Sequence, residues 1–464
     1  HPVFFTVGAV EWDPAAAATF TANFEDSYRD CPGASGPPRV FCEDITGWTP
    51  PWGRDEIDVV VGGPPCQGFS GLNRERVRAE RNTLWQEFIR VVVALQPKVF
   101  VIENVDRFLR SVEFHDLKNR VGGGDLSNYA LVDPGNPRGA QGWAHDRQYL
   151  LNAADFGTPQ ARRRAIVIGV RTDSGLESRP MRYPAPSHSR FTAPDGSPSN
   201  DTHGVMPWVP ADEIFAESAQ LLLASELPER GPVSFPGIPG RHAGPYLTTE
   251  LHVGRNPEPI SLSRYRAIPH SGNRNDLRGR YACRLDDGTE LILQRVDHRR
   301  DARGNLIPRG EYQIVVNGST TERRASVEEA TRVVRATPAR RAVEERFDAL
   351  VTLEGTTRHA DLEYLSTPSW DAHRSGTGDV MGRLRVGEPA VTIRTEFFKP
   401  EKGRYLHPSE NRALTHYEAA RLQGFPRHFK WYGSKTEIAR QIGNAVPIPL
   451  GRAIAGAIYA YLRG

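Results

Sequence analysis

Residues 62–70 read Gly-Gly-Pro-Pro-Cys-Gln-Gly-Phe-Ser, directly after the apolar run 57–61. A β-branched run that stops at glycine and proline is a buried strand entering a tight loop. Cys66 then lies just past a strand tip, where open α/β sheets place ligands and reacting groups. Free cysteine is more often a buried structural residue. The flanking prolines and glycines favour an exposed nucleophile instead. A second apolar run, Val99–Ile102, ends in Glu103-Asn104-Val105, placing a carboxylate and an amide at another strand end. A thiolate beside a carboxylic acid suits attack on an electron-poor ring whose nitrogen must be protonated at once. A third piece, Gln160-Ala161-Arg162-Arg163-Arg164, precedes the strand-like 165–170. Alone it is a solvated basic turn; at a sheet edge, alternate arginines can face one polyanion.

The elements between these pieces have to bring them together. Leu84–Leu95 carries apolar residues at helical spacing, and Gln96-Pro97 ends it. Strand, loop, helix and strand make a right-handed βαβ unit, whose parallel strands end at one edge. Cys66 and Glu103 are therefore expected at one mouth. Further along come Arg412-Ala413-Leu414-Thr415, the stretch from Glu418 to Pro426, and Gln441 to Pro447 running into a C-terminal helix. That helix bears Ile448, Leu450, Ile454, Ala455, Ile458 and Tyr461 on one apolar face.

In order and spacing these motifs resemble the cytosine-5 DNA methyltransferase family, bacterial or archaeal type. The matching stretches are Gly63 to Ser70, Arg81 to Leu84, Glu103-Asn104-Val105, Gln160 with Arg162 and Arg164, Glu418 to Pro426, and Gly443 to Pro447. The resemblance covers about residues 1–175 and 375–464 and is weaker between. It implies an α/β, Rossmann-like methyltransferase sheet with an inserted, mostly irregular or β target-recognition domain. It also implies roles. Cys66 attacks carbon 6 of a flipped cytosine; Glu103 holds the ring nitrogen and exocyclic amine; Arg164 holds the carbonyl oxygen; Arg162 supports the site and a nearby phosphate. Gln67 to Leu84 would be a mobile loop closing over DNA, with Gln67 and Ser70 touching it. A target base inside a duplex has to be extruded first, and a nearby arginine can lower the thiol pKa.

S-adenosylmethionine is the implied methyl donor. By resemblance Glu11 takes the ribose, Trp12 stacks on adenine, and Asp44 and Ile45 meet the adenine edge. Leu84, Asn444 and Ala445 match other cofactor contacts. The family's first strand and its Phe-x-Gly-x-Gly loop have no match here, and the chain starts at His1. The expectation is that roughly 20 residues precede it in the gene product, the usual distance from a glycine-rich loop to the ribose acid. The cofactor pocket beside Glu11 and Trp12 is accordingly expected to stand open.

Composition sets wider bounds. The 464 residues suggest two or three domains, and a net charge of +3 with pI near 8.6 permits nucleic-acid binding without arguing for it. Only 6 of the 59 basic residues are lysines; arginine suits phosphate. Cys31, Cys42, Cys66 and Cys283 form no Cys-x-x-Cys pair, so no zinc site is expected. Scattered thiols fit a reducing cytoplasm, and no apolar run is long enough to span a membrane.

The domain expectation is 1–178 for the first catalytic part, 179–404 for target recognition and 405–464 for the return to the catalytic domain. Proline- and serine-rich residues 179–210 read as a linker. Ser263–Arg274 reads as a glycine-turn segment whose Arg264, Arg266 and Arg274 contact DNA. Residues 281–362 read as an α+β insertion. Asp286-Asp287-Gly288 and Asn317-Gly318 are hairpin turns there, Ser326-Val327-Glu328-Glu329 a capping box opening a helix, and Thr337-Pro338 the start of another. With 14 arginines against 13 acids over 281–360, charge alone does not make it a DNA clamp.

Three functions fit: a duplex-DNA methyltransferase acting as a monomer in restriction–modification or phage defence, a transfer-RNA cytosine methyltransferase, and a catalytically silent homologue. The large recognition region favours DNA, and intact Cys66, Glu103 and Arg164 disfavour the silent homologue.

Overall fold

A computed structural model describes residues 4–25, 36–64, 76–135, 141–190, 205–296, 310–331, 346–372 and 379–463, with backbone alone for 76–83, 329–331 and 368. Its first unit is a small parallel pair, β1 (Gly8–Val10) and β2 (Arg39–Phe41), flanking α1 (Pro14–Phe24). Asp13 caps α1 by accepting from Ala15 N and Ala16 N, with Pro14 in the first turn.

The main sheet begins with β3 (Val59–Gly62), α2 (Arg76–Leu95) and β4 (Val99–Asn104), the βαβ unit expected, with β3 and β4 parallel. Next come α3 (Val112–Gly123), β5 (Tyr129–Leu131), β6 (Leu150–Asn152), β7 (Gln160–Ala161) and β8 (Arg163–Arg171). The sheet order is β3-β4-β8-β5, with β6 on the start of β8. Side chains alternate across it. Phe100, Ile102, Ala165 and Val167 face Phe88, Ile89 and Val92 of α2. Val99, Val101, Ile166 and Ile168 face Leu450, Ile454, Ile458 and Tyr461 of the C-terminal helix. Each such aliphatic burial contributes about 1.5–3 kcal/mol. The segment read as a linker stays on this sheet as far as Tyr183, whose hydroxyl donates to Ile166 O and accepts from Ile168 N; residues 191–204 lie outside the described ones.

Beyond α4 (Asp212–Ser218) and α5 (Pro259–Ala267) the chain forms a closed six-stranded antiparallel barrel. Its strands are β9 (Arg280–Leu285), β10 (Glu290–Arg295), β11 (Gly310–Val316), β12 (Ser319–Thr331), β13 (Arg346–Leu353) and β14 (Thr356–Tyr364). Both hairpin turns expected from sequence are present, and Asn317 and Gly318 have the positive φ values, 50° and 78°, of a primed turn. The helix expected at Ser326 is not formed. Ser326 and Val327 pair with Thr352 and Val351 in β12, and Ala325 and Val327 fill the barrel interior. Alternation toward a shared core outweighs a local capping pattern. The second expected helix, at Thr337-Pro338, lies outside the described residues. The five-residue segment 263–267, expected as a turn, is the C-terminal half of α5.

The chain rejoins the first part through β15 (Ala390–Val391), parallel to β7, then α6 (His416–Leu422), α7 (Lys435–Asn444) and α8 (Ile448–Arg463). No single helix among the described residues is long and apolar enough to cross a membrane.

The returning segment is fixed by Glu418, which is fully buried. It accepts from Arg412 Nη1 and Nη2 at 3.0 and 2.7 Å, from Thr415 N at 2.9 Å and from Ser218 Oγ at 2.8 Å. Burial alone would push its carboxyl up; the Arg412 and Thr415 bonds and nearby His407 outweigh burial and hold it below the usual range. Arg412→Ala strands that carboxylate and is expected to cost about 3–5 kcal/mol in urea unfolding at pH 7. Folded Glu418 holds its proton less tightly than the unfolded chain does. Its contribution is present above about pH 4.3, the ordinary glutamate value, and is expected to fade below it, measured as the unfolding free energy against pH.

Candidate active site

The register of β4 on β8 decides which polar groups meet. Glu103 pairs with Ile166 and Asn104 with Ala165. Arg164, two residues before Ile166, therefore lies diagonally from Glu103 on the same face. Arg164 Nε is 2.9 Å from Glu103 Oε1. Burial pushes the Glu103 carboxyl above its ordinary range, and Arg164 and Arg162 only partly offset it. Such a group keeps its proton to higher pH than an exposed glutamate and can donate it.

Asn104, on the opposite face, reaches the neighbouring loop. Its Nδ2 donates to Pro64 O at 3.0 Å. A Cβ added at Gly63 would sit 3.2 Å from Glu103 Oε2. Gly63 and Pro64 thus run against Glu103 as they lead into Cys66. Cys66, Gln67 and Ser70 lie outside the described residues. Of the two described cysteines, Cys42 has its thiol pushed up by burial and by Glu11, Asp13 and Glu43. Cys283 is sealed in the barrel, where burial pushes it up to about 12. Neither is a nucleophile at neutral pH.

Arg162 corrects an expectation. The resemblance has it support the site and a nearby phosphate; at 2% exposed it is turned inward, away from any phosphate. Its Nη1 donates to Ile393 O at 2.7 Å and its Nη2 to Gly443 O at 2.9 Å. Burial lowers its pKa to about 9, so it stays charged at neutral pH. Gln160 works beside it: Nε2 donates to Gln423 Oε1 at 2.9 Å, and Oε1 accepts from Ile393 N at 2.8 Å. Gly443 is demanded by close approach, since a Cβ would lie 2.4 Å from Thr395 N. Sequence reasoning missed Asn104 and Gln423 as organisers of the site; both stand inside motifs already singled out.

The Gly443 contact links the Glu103–Arg164 pair to a second cluster. Asn444, exposed at the end of α7, is one turn past Arg440 on the same helix face. Arg440 Nη1 is 3.0 Å from Asp13 Oδ2. Asp13 N in turn donates to Glu11 Oε1 at 2.8 Å. Glu11, with its carboxyl raised by burial, is thus joined through Asp13 and Arg440 to the helix that ends in Asn444. Trp12, next to Glu11 in the chain, is 72% exposed. An acceptor carboxylate, an open indole face and an exposed amide suit a ribose hydroxyl, a purine and an amino-acid end. Asp44 is exposed, and its Oδ1 accepts from Thr46 N at 2.9 Å. Ile45 packs with Trp48, Trp52 and Ile57; Leu84 on α2 is half-buried, and Ala445 packs beneath α6.

The model of the C-5 cytosine-specific DNA methylase family matches residues 3–205 and 305–460. The chain belongs to that family. This methylase is a DNA (cytosine-5-)-methyltransferase, and its methyl donor is S-adenosylmethionine. It is 26% identical over 460 residues to the type II methyltransferase M.XorII of Xanthomonas oryzae pv. oryzae, covering 99% of this chain and 80% of that one. It is 28% identical over 466 residues to the type II methyltransferase M.AgeI of Thalassovita gelatinovora, covering 98% and 94%. Among solved structures it resembles a prophage-encoded E. coli protein described as a candidate DNA modification methyltransferase. The TM-score there is 0.50 at 17% identity, over 99% of this chain and 94% of that one, a likeness of fold.

At the end of α5, Arg264 Nε donates to Leu365 O at 2.9 Å and its guanidinium lies over Trp370. Arg266 is 3.3 Å from Glu290. Arg274 is half-buried, with its main-chain N–H on Val380 O. Of the expected DNA-contacting arginines, Arg264 is thus held within the protein, while Arg266 is exposed beside Glu290.

Arg162→Ala leaves two buried carbonyls unpaired at about 1–3 kcal/mol each. It is expected to lower the melting temperature and weaken S-adenosylmethionine binding through Gly443, measured by calorimetry. Arg162→Lys, unable to reach both carbonyls in one plane, should restore part of each.

Proposed function

We propose that this methylase marks self DNA in a type II restriction–modification system, as the names of M.XorII and M.AgeI suggest by kinship. The observation that carries the catalytic reading is the Glu103–Arg164 pair, set against the Gly63-Pro64 strand end that runs into Cys66. In this reading the Cys66 thiolate forms an Sγ–C6 bond to an extruded cytosine, and Glu103 delivers its proton to the ring nitrogen. Arg164 holds the ring carbonyl and keeps Glu103 oriented. Arg162 acts as a brace. Carbon 5, made electron-rich, accepts a methyl group supplied by bound S-adenosylmethionine. Return of the ring-nitrogen proton to Glu103, loss of the carbon 5 proton to solvent and cleavage of the Sγ–C6 bond then release neutral product and thiolate.

Glu11, Trp12, Asp44, Ile45, Leu84, Asn444 and Ala445 form the cofactor side. Gln67 and Ser70 lie toward DNA. Arg264, Arg266 and Arg274 lie on the recognition side, and Arg266 exchanges Glu290 for phosphate on binding. The catalytic domain comprises residues 1–178 and 405–464. The recognition domain lies between, and the enzyme is of bacterial or archaeal type. A cytoplasmic monomer suffices, because one chain supplies Glu103, Arg164, Glu11 and Asn444.

With a 5-fluorocytosine duplex and cofactor, the native chain is expected to form a covalent adduct and Cys66→Ser none; an adduct on the serine variant would refute the nucleophile. Glu103→Gln reaches the base but lacks the proton, so single-turnover methylation is expected to slow at least ~100-fold. DNA affinity is expected to fall steeply between about 50 and 200 mM salt, as counterion release requires; fluorescence anisotropy reads it.

A further inference from the structure

Helix α5 stands between the barrel and the returning catalytic segment, and buried arginines grip its C-terminal carbonyls from both sides. A helix end leaves its last carbonyls unpaired and carries partial negative charge. Arg280 of β9 donates Nη1 to Ala267 O, and to Gly318 O at 2.8 Å, from the barrel side. On the other side of α5 is Arg383, 4% exposed, at the end of the recognition segment. Its Nη2 donates to Tyr265 O at 2.6 Å and its Nε to Ile268 O at 2.8 Å. The same guanidinium holds the 407–411 loop: Nη1 to His407 O at 2.9 Å and to Glu410 O at 2.5 Å, Nη2 to Asn411 Oδ1 at 2.5 Å. That loop leads directly into Arg412 and the α6 cap. Arg404, 3% exposed, adds bonds to Ser271 O, Gly272 O and Arg383 O. The barrel side is equally tight. A Cβ at Gly318 would lie 2.2 Å from Pro269 N, so the β11–β12 turn rests directly on the chain leaving α5.

No carboxylate bonds Arg383 among the described residues. Its charge rests on five oxygens drawn from α5 and the 407–411 loop. A buried cation held only by main-chain carbonyls and an amide is a costly arrangement for mere cohesion; apolar packing would serve as well. What it adds is direction, because the planar fork fixes both partners at set angles.

We propose that Arg383 is a positioning residue for DNA recognition, setting through α5 where the barrel stands relative to the Glu103–Arg164 site. The inference rests on residues 179–404 being the recognition side. Loss of the fork leaves the chemistry intact but lets the barrel shift over the DNA.

The test uses the full chain as Arg383→Lys and Arg383→Gln. Three readouts apply: methyl transfer from labelled S-adenosylmethionine to plasmid DNA, sequencing of the methylated contexts, and amide hydrogen exchange. At saturating DNA, single-turnover rates are expected within ~3-fold of native. KM for DNA should rise ~10-fold, the scale of one buried hydrogen bond lost. Methylated contexts should broaden, and Lys, with three donors and the charge kept, should fall between native and Gln. Exchange should quicken at the end of α5 while the barrel strands stay protected. If Gln fails to fold, Lys decides. Unchanged exchange at α5, with native KM and contexts in a folded variant, overturns the inference. So does a loss confined to the saturating rate. Quickened exchange at α5 with native KM and contexts would instead refute the barrel as a recognition element.

Discussion

The catalytic half of the molecule depends on one buried cation. Arg162 reaches across to carbonyls 231 and 281 residues away in the chain, at Ile393 and Gly443. With the β7–β15 pairing and the Gln160–Gln423 bond, that bridge ties the strand end bearing Glu103 and Arg164 to the segment bearing Asn444. A guanidinium can do this because it offers five donors in one plane. The two carbonyls lie on different segments, so the bond sets their separation as well as neutralising them.

The same device recurs at Arg280, Arg383 and Arg404, each at most 7% exposed and each bonded to main-chain oxygens. An ammonium is a compact point charge and could not span these acceptors. The scarcity of lysine, 6 residues in 464, therefore has a structural side. Part of the arginine content serves as interior cross-links between segments distant in sequence, and that part is withdrawn from nucleic-acid contact.

Where sequence and structure agree, the signal was local. The run 57–61, the helical spacing of Leu84–Leu95, Val99–Asn104 and the C-terminal helix each carry their own periodicity. Asn317-Gly318 specifies its turn by backbone conformation alone. The motifs around Glu103, Arg164 and Gly443 were legible because chemistry restricts their residue types. The failures arose where tertiary context decides. Ser326-Val327-Glu328-Glu329 suits a helix cap in isolation, but a strand on each side and an interior slot for Val327 prevail. Arg162 on its own reads as part of a solvated basic turn, because sequence carries no record of which guanidinium a distant segment covers. The closed barrel was visible only as turns and apolar runs, since closure is a pairing of β9 with β14 across the whole insertion.

The sheet face packed by α8 has a consequence for the order of assembly. Val99, Val101, Ile166 and Ile168 are covered by α8, which is made after them and after the barrel, and α7 is joined to the start of α1. The barrel, by contrast, finds all its strand partners between residues 280 and 364. Short-range partners close early, and long-range ones wait for the chain. During synthesis the barrel can therefore be complete while one face of the methyl-transfer sheet is still bare. Until α8 docks, a nascent chain exposes an apolar sheet face, which makes this the interval of greatest risk of misassociation.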